Sequence, residues 1–165
     1  DVIAPSRDFD VEIVTDIGGE GHEPHCTPSP GILYGLGNLV ENAVDFARTR
    51  VLIEARWTDE RVRLVIEDDG PGFPPEVLAK LGEPYVTSAT TERRAKSGEG
   101  GLGLGLFIAK TLLERSGAVL SMGNVEAPRG GARIVIAWPR AVFEGAAAGG
   151  AGSDLENTGE TFRLV

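Results

Sequence analysis

The chain has 165 residues, 41% of them hydrophobic, a formal net charge of −9 and a single cysteine, Cys26. That length suits one domain with a real core, the acidic balance argues against a nucleic-acid binder, which carries a basic face, and a lone cysteine excludes an internal disulfide and favours a reducing compartment. No apolar run approaches a bilayer span, since Lys110 interrupts the longest, and nothing resembles a signal peptide, so a cytoplasmic fragment without direct membrane contact is expected.

Asp8–Asp16 (DFDVEIVTD) alternates Phe9, Val11 and Ile13 with polar residues and predicts a half-buried strand. The Gly- and Pro-rich IGGEGHEPHCTPSPG that follows predicts a loop, in which Cys26 is read as a structural residue. From Pro30 to Arg48, Leu33, Leu36, Leu39, Val40, Ala43, Val44, Phe46 and Ala47 recur at three and four spacing, predicting one long amphipathic helix. Thr27 or Ser29, each followed by a proline, supplies its N-cap. Strands are expected over Val51–Trp57 and Val62–Glu67, joined by the turn TDER. DDGPGFPPE reads as a loop and Pro75–Leu81 as a short helix opened by two prolines. Gly82–Gly103 is long, polar and largely aperiodic, and a loop of that length in a compact domain is either functional or a mistaken assignment. A helix over Leu104–Ser116, stopped by Gly117, and strands over Ala118–Met122 and Ala132–Trp138 close the domain. The domain is placed at residues 1–140. Residues 141–165 are too poor in apolar bulk to fold alone and read as a flexible low-complexity tail. This order predicts a mixed sheet with helices on one face, a two-layer α/β sandwich.

Within SGEGGLGLGLFIAKTLLERSG, five glycines fall between Gly98 and Gly105, immediately before the helix. Glycines let backbone approach a ligand, and a helix start offers free N–H groups and a positive dipole end, so phosphate is the expected ligand. A dinucleotide fingerprint, spelled by Gly98, Gly100 and Gly103, lacks the strand that must precede it. A Walker A loop fails because Leu104 and Ala109 stand where it needs glycines.

Two further motifs carry chemistry. Asn38 and Asn42 lie four apart on one helix face, where two carboxamides can offer oxygen to a hard cation and donors to phosphate, or serve as plain surface amides or a buried hydrogen-bonded pair. Asp68 ends a strand with Gly70 and Gly72 behind it. Its carboxylate is an acceptor matched to the exocyclic amine of adenine and mismatched to the carbonyl of guanine. Read by itself, the same stretch is a turn with Asp68 and Asp69 in solvent.

Taken together, NLVENA, DDGPG, GEPY (Pro84, Tyr85), GLGLGL from Gly101 to Leu106 and RGGARIVIAWP resemble the N, G1, F and G2 boxes and final strand of the catalytic, ATP-binding domain of sensor histidine kinases. The resemblance covers roughly Phe9 to Pro139, and NLVENAVDFA, EPYVTS and LFIAKTLLERSGA look most like the redox-responsive RegB/ActS type. It implies the Bergerat ATP-binding fold of the gyrase, Hsp90 and MutL proteins, with ATP and Mg²⁺ as cofactors. By that similarity Asp68 holds the adenine amine with Gly70 and Gly72 beside it. Asn42 ligates Mg²⁺, and Asn38 supports metal and phosphates. Gly101, Leu102, Gly103, Leu104, Gly105 and Leu106 lie by the triphosphate, forming the hinge of a lid over Gly82–Gly100 that is poorly ordered without nucleotide. Arg93, Arg94 and Lys96 of that lid are candidate phosphate contacts.

The reaction implied is transfer of the γ-phosphoryl group of ATP to a histidine, then relay to a response regulator. Where hydrolytic relatives carry a water-activating Glu, this chain has Asn38, and an amide is no base. Asp45 stands where the family often has a basic residue or His, which weakens a phosphate contact from that helix. His22 and His25 sit in a loop and match no acceptor motif. The acceptor is therefore expected on a dimerisation and phosphotransfer domain of the same full-length kinase, with a membrane anchor further upstream. A nucleotide-responsive scaffold, an anti-sigma-type serine kinase and, disfavoured by Asn38, a gyrase-like ATPase are the alternatives.

Overall fold

The computed structural model describes residues 10–81 and 101–145. Five strands form one sheet in the order β1-β2-β3-β5-β4. β1 (Glu12–Gly19) runs parallel to β2 (Arg50–Trp57), and β2, β3 (Arg61–Asp68), β5 (Ala132–Pro139) and β4 (Val119–Asn124) pair antiparallel. Helices α1 (Pro30–Phe46), α2 (Pro75–Leu81) and α3 (Gly101–Arg115) complete the expected two-layer α/β sandwich, and α4 (Arg140–Gly145) follows β5.

Local chemistry sets the boundaries of α1. Ser29 is the N-cap, its Oγ accepting from Ile32 N at 3.3 Å, and Pro30 costs no hydrogen bond at the first helical position. Ala47 turns to extended backbone while still donating to Ala43 O at 2.9 Å, which ends the helix. The β2–β3 turn is held by Thr58 Oγ1, which accepts from the backbone N–H groups of Glu60 and Arg61.

The core lies between the layers. Val62, Leu64 and Ile66 of β3 stand in register with Trp138, Ile136 and Ile134 of β5, and this face meets Leu39 of α1 and Leu106 and Leu113 of α3. Each fully buried leucine contributes about 1.5–3 kcal/mol relative to an exposed one. Not every residue of the apolar pattern in α1 is inside: Leu33, Tyr34 and Phe46 stay largely exposed, while Gly35 is buried against Leu113.

Three departures from expectation exceed two residues. β1 starts at Glu12 and runs on to Gly19, because all of β2 pairs with it; Gly19 has no side chain to meet the Trp57 ring lying across it. At this edge Ile13 is half exposed rather than an inward residue, while Val11 packs on the core. Phe9 lies outside the described residues. α3 starts at Gly101, three residues before the predicted start, so Gly101, Leu102 and Gly103 are helical rather than part of a loop. The stretch expected as tail begins with α4: Phe143 is buried against Trp138, ring centroids 5.2 Å apart, and Arg140 ties the helix to the carbonyls of Thr58 and His22. Residues 146–165 lie outside the described residues.

Candidate functional site

Asp68 is the last residue of the central strand β3 and is 9% exposed. Its Oδ1 accepts from Gly70 N at 2.9 Å and from Ala132 N at 3.2 Å. Oδ2 accepts from no donor among the described residues, so the carboxylate is fixed on one oxygen and free on the other. A cleft opens here, lined by Asp68, Gly72, Phe73 and Ala132 on the strand side and by Leu39, Asn42 and Leu106 on the helix side.

The glycines behind Asp68 are demanded by geometry. A Cβ on Gly70 would stand 2.1 Å from Phe46 O, and Gly72 takes φ +82°, the left-handed region that side chains avoid. Asn124, at the end of β4, grips the next residue twice: its Oδ1 accepts from Phe73 N at 2.7 Å and its Nδ2 donates to Phe73 O at 3.0 Å.

Asp69 is not the solvated carboxylate of a bare turn. It accepts from Arg48 N, Thr49 N, Arg50 N and, at 2.5 Å, from Thr49 Oγ1, tying the start of the loop to the α1–β2 connection. Partial burial pushes its carboxyl up, but the Thr49 hydroxyl and the three backbone N–H groups outweigh that and bring it down to about 2.

On the helix side α3 packs against α1, bringing the second motif together. A Cβ on Gly105 would lie 3.2 Å from Asn38 Oδ1 and 4.0 Å from Asn42 Nδ2, so glycine allows the start of α3 to come down onto both carboxamides. Asn42 Nδ2 is buried with no hydrogen-bond partner among the described residues, at a desolvation cost of about 1–3 kcal/mol. An orphaned amide and a neighbouring carboxamide oxygen, beside a cleft, fit a ligand rich in oxygen. The carboxamide oxygens of the pair, not the orphaned nitrogen, suit Mg²⁺, which takes one or two protein oxygens and completes its shell from phosphates and water.

Thus Asn42, Asp68, Gly72 and Leu106 line one cleft, while Asn38 and Gly105 lie together beside Asn42, and Gly70 sits behind Asp68. Leu104 is half-buried in the first turn of α3, whose start is at Gly101, Leu102 and Gly103. Arg93, Arg94, Lys96, Pro84 and Tyr85, with the whole expected lid, lie outside the described residues. Glu41 and Asp45 are exposed on α1, and His22 and His25 are exposed in the β1–α1 loop, as the sequence suggested. Cys26 packs partly against the core and burial raises its thiol, which suits a structural residue. Sequence reasoning missed Asn124 and the grip of Asp69. Among the described residues no helix is long and apolar enough to cross a membrane.

A mixed five-stranded sheet with an acceptor-tipped central strand and a helix-borne amide pair across a cleft defines an α/β nucleotide-binding domain. The family model of the histidine kinase-, DNA gyrase B- and HSP90-like ATPases matches residues 29–142, and the chain belongs to that family. It is 44% identical to the sensor histidine kinase RegB of Cereibacter sphaeroides over 133 residues, 74% of this chain and 29% of that protein. It is 31% identical to the sensor histidine kinase CpxA of Escherichia coli over 120 residues, covering 68% of this chain and 25% of CpxA. The chain therefore spans under a third of the length of these relatives. Among solved structures, full-length ShkA in complex with AMPPNP matches with 27% identity and a TM-score of 0.53, over 77% of this chain and 25% of ShkA. The catalytic domain of histidine kinase ThkA, nucleotide free, matches with 22% identity and a TM-score of 0.55, over 78% of this chain and 80% of that one. ThkA bears on the fold alone.

Proposed function

We propose that this domain binds ATP with Mg²⁺ and transfers the γ-phosphoryl group to a histidine on a separate dimerisation domain of the same kinase, for relay to a response regulator. The observation that carries the reading is the pairing across one cleft of a carboxylate with a free oxygen, Asp68, and a buried amide without a partner among the described residues, Asn42. Asp68 Oδ2 accepts from the exocyclic amine of adenine, and guanine, which presents a carbonyl there, is refused. Asn42 holds the metal through its carboxamide oxygen, and Asn38 supports metal and phosphates. Mg²⁺, when bound, neutralises charge on the phosphates.

Gly105 and the helical turn from Gly101 bring backbone to the triphosphate, and Arg93, Arg94 or Lys96 of the 82–100 segment adds a cation. In the transfer, a histidine nitrogen forms a bond to the γ-phosphorus as the bond to the β,γ-bridging oxygen breaks and ADP leaves. Asn38 offers no base to activate water, which favours transfer over hydrolysis. On this reading the phosphotransfer domain and a membrane anchor lie elsewhere in a full-length kinase.

Calorimetric titration of the chain with ATP, with and without Mg²⁺ and with GTP as competitor, tests the reading. Mg²⁺-dependent binding of ATP that GTP does not displace is expected. A folded chain that binds no ATP overturns it and leaves a scaffold role.

A further inference from the structure

The loop that carries the base side of the cleft is held at three points, and two were accounted for above by Asp68 and Asp69. The third hold comes from a side chain 51 residues away, Asn124, which makes a two-point bond to the Phe73 backbone, accepting at 2.7 Å and donating at 3.0 Å. A primary amide is the side chain that can accept and donate side by side, as a peptide group in a neighbouring strand does. Asn124 thereby extends the sheet's bonding by one rung beyond β4 and onto the loop.

The hold is specific in space as well as in bonding. Gly72, at φ +82°, places the position of its missing Cβ 2.8 Å from Asn124 Oδ1, so the amide fills the volume that a side chain at residue 72 would occupy. Asn124 also stands in register with Ala132, whose N–H fixes Asp68 Oδ1. One residue thus joins the wall made by Gly72 and Phe73 to the strand end that orients the carboxylate.

We infer that Asn124 is a positioning residue of the nucleotide site, setting the distance between the Gly72–Phe73 wall and Asp68 and so the fit for a purine whose exocyclic amine is at C6, as in adenine. The inference rests on the nucleotide reading above. Asn124 reaches the bound base through the Phe73 backbone, by holding a slot of fixed width. Widening that slot weakens adenine binding and blunts discrimination against guanine, because a base that can shift loses the alignment of its amine with Asp68 Oδ2.

The test is calorimetric titration of the 165-residue chain and its Asn124→Ala, Asn124→Ser and Phe143→Leu variants with ATP, ADP and GTP, alongside thermal unfolding. Losing two hydrogen bonds in Asn124→Ala is expected to raise the Kd for ATP and ADP alike by about tenfold or more and to narrow the ATP-over-GTP preference. Asn124→Ser, a smaller change that keeps one bond, is expected to give about threefold and keeps the test open should the alanine variant not fold. Phe143→Leu lowers stability at the far end of the sheet and leaves Kd unchanged, separating positioning from mere folding. Wild type binding ATP with folded Asn124 variants binding it equally well overturns the inference alone. Wild type failing to bind ATP overturns the nucleotide reading and the inference with it.

Discussion

The two sides of the cleft are finished to different degrees. On the base side, the Asp68–Phe73 loop has backbone and side chains tied to the α1–β2 connection, β5 and β4. On the helix side, Asn42 Nδ2 is buried with nothing to bond among the described residues, and Asn38 Oδ1 lies over Gly105. The strand-side loop has its hydrogen bonds made without a ligand, whereas Asn42 Nδ2 is a donor that, in the proposed function, a phosphate oxygen would satisfy. If the cleft binds ATP as proposed, the contacts to the base are set before binding and those to the phosphates are completed by it.

Four substitutions would break or sharpen that contrast. The largest effect is expected at Asp68→Asn. The new Oδ1 can still accept from Gly70 and Ala132, so the fold persists, but an amide donor then faces the adenine amine and ATP affinity falls about 100-fold or more by calorimetry. Asn42→Leu is expected to move two readouts in opposite directions. Removing the orphaned amide stabilises the ligand-free domain by about 1–3 kcal/mol in urea unfolding, while Mg²⁺-dependent ATP binding is lost; a ligand-free domain that becomes less stable would show the amide to be satisfied.

Asp69→Ala is expected to cost about 1–2 kcal/mol, since the hydrogen bonds it removes go to a charged acceptor that is partly exposed. The acid limb of stability changes too. The Asp69 carboxyl sits at about 2 in the folded chain against 3.8 unfolded, so its contribution is fully present above about pH 4 and is lost as the pH falls through 3.8 toward 2. The variant should lose that part of the slope in unfolding measured from pH 5 down to 2. The smallest effect is expected at Gly105→Ala: a gain of about 0.5–1 kcal/mol in helix propensity is offset by crowding of Asn38 Oδ1. ATP affinity falls a few-fold with little change in melting temperature.

What the sequence made legible follows the range of the interactions involved. The cap at Ser29, the helix at Pro75–Leu81 and the strand end at Asp68 depend on residues within a few positions of one another, and each was readable. Gly101–Gly103 read as loop because glycine disfavours helix, yet α3 begins there, held by packing on α1 that no local window contains. Asp69 read as solvated because its donors lie 19 to 21 residues back, and Asn124 went unnoticed because its partner is 51 residues away. Phe143 belonged to a stretch of weak apolar content, and the Trp138 ring gives it a place. The family boxes were visible because the chemistry of the ligand fixes residue types at ordered intervals; the clamps that support them can be supplied from several elements and leave no such mark.

Trp138 also makes the domain its own optical instrument. Its indole Nε1 donates to Ser116 Oγ at 2.9 Å, just past the end of α3, and its ring meets the edge of Phe143. The other end of that same helix lies at Asn38 and Asn42. With Trp57, the other of the two tryptophans, replaced by Phe, the emission colour and lifetime of Trp138 report on the packing at the C-terminal end of α3, with no dye attached.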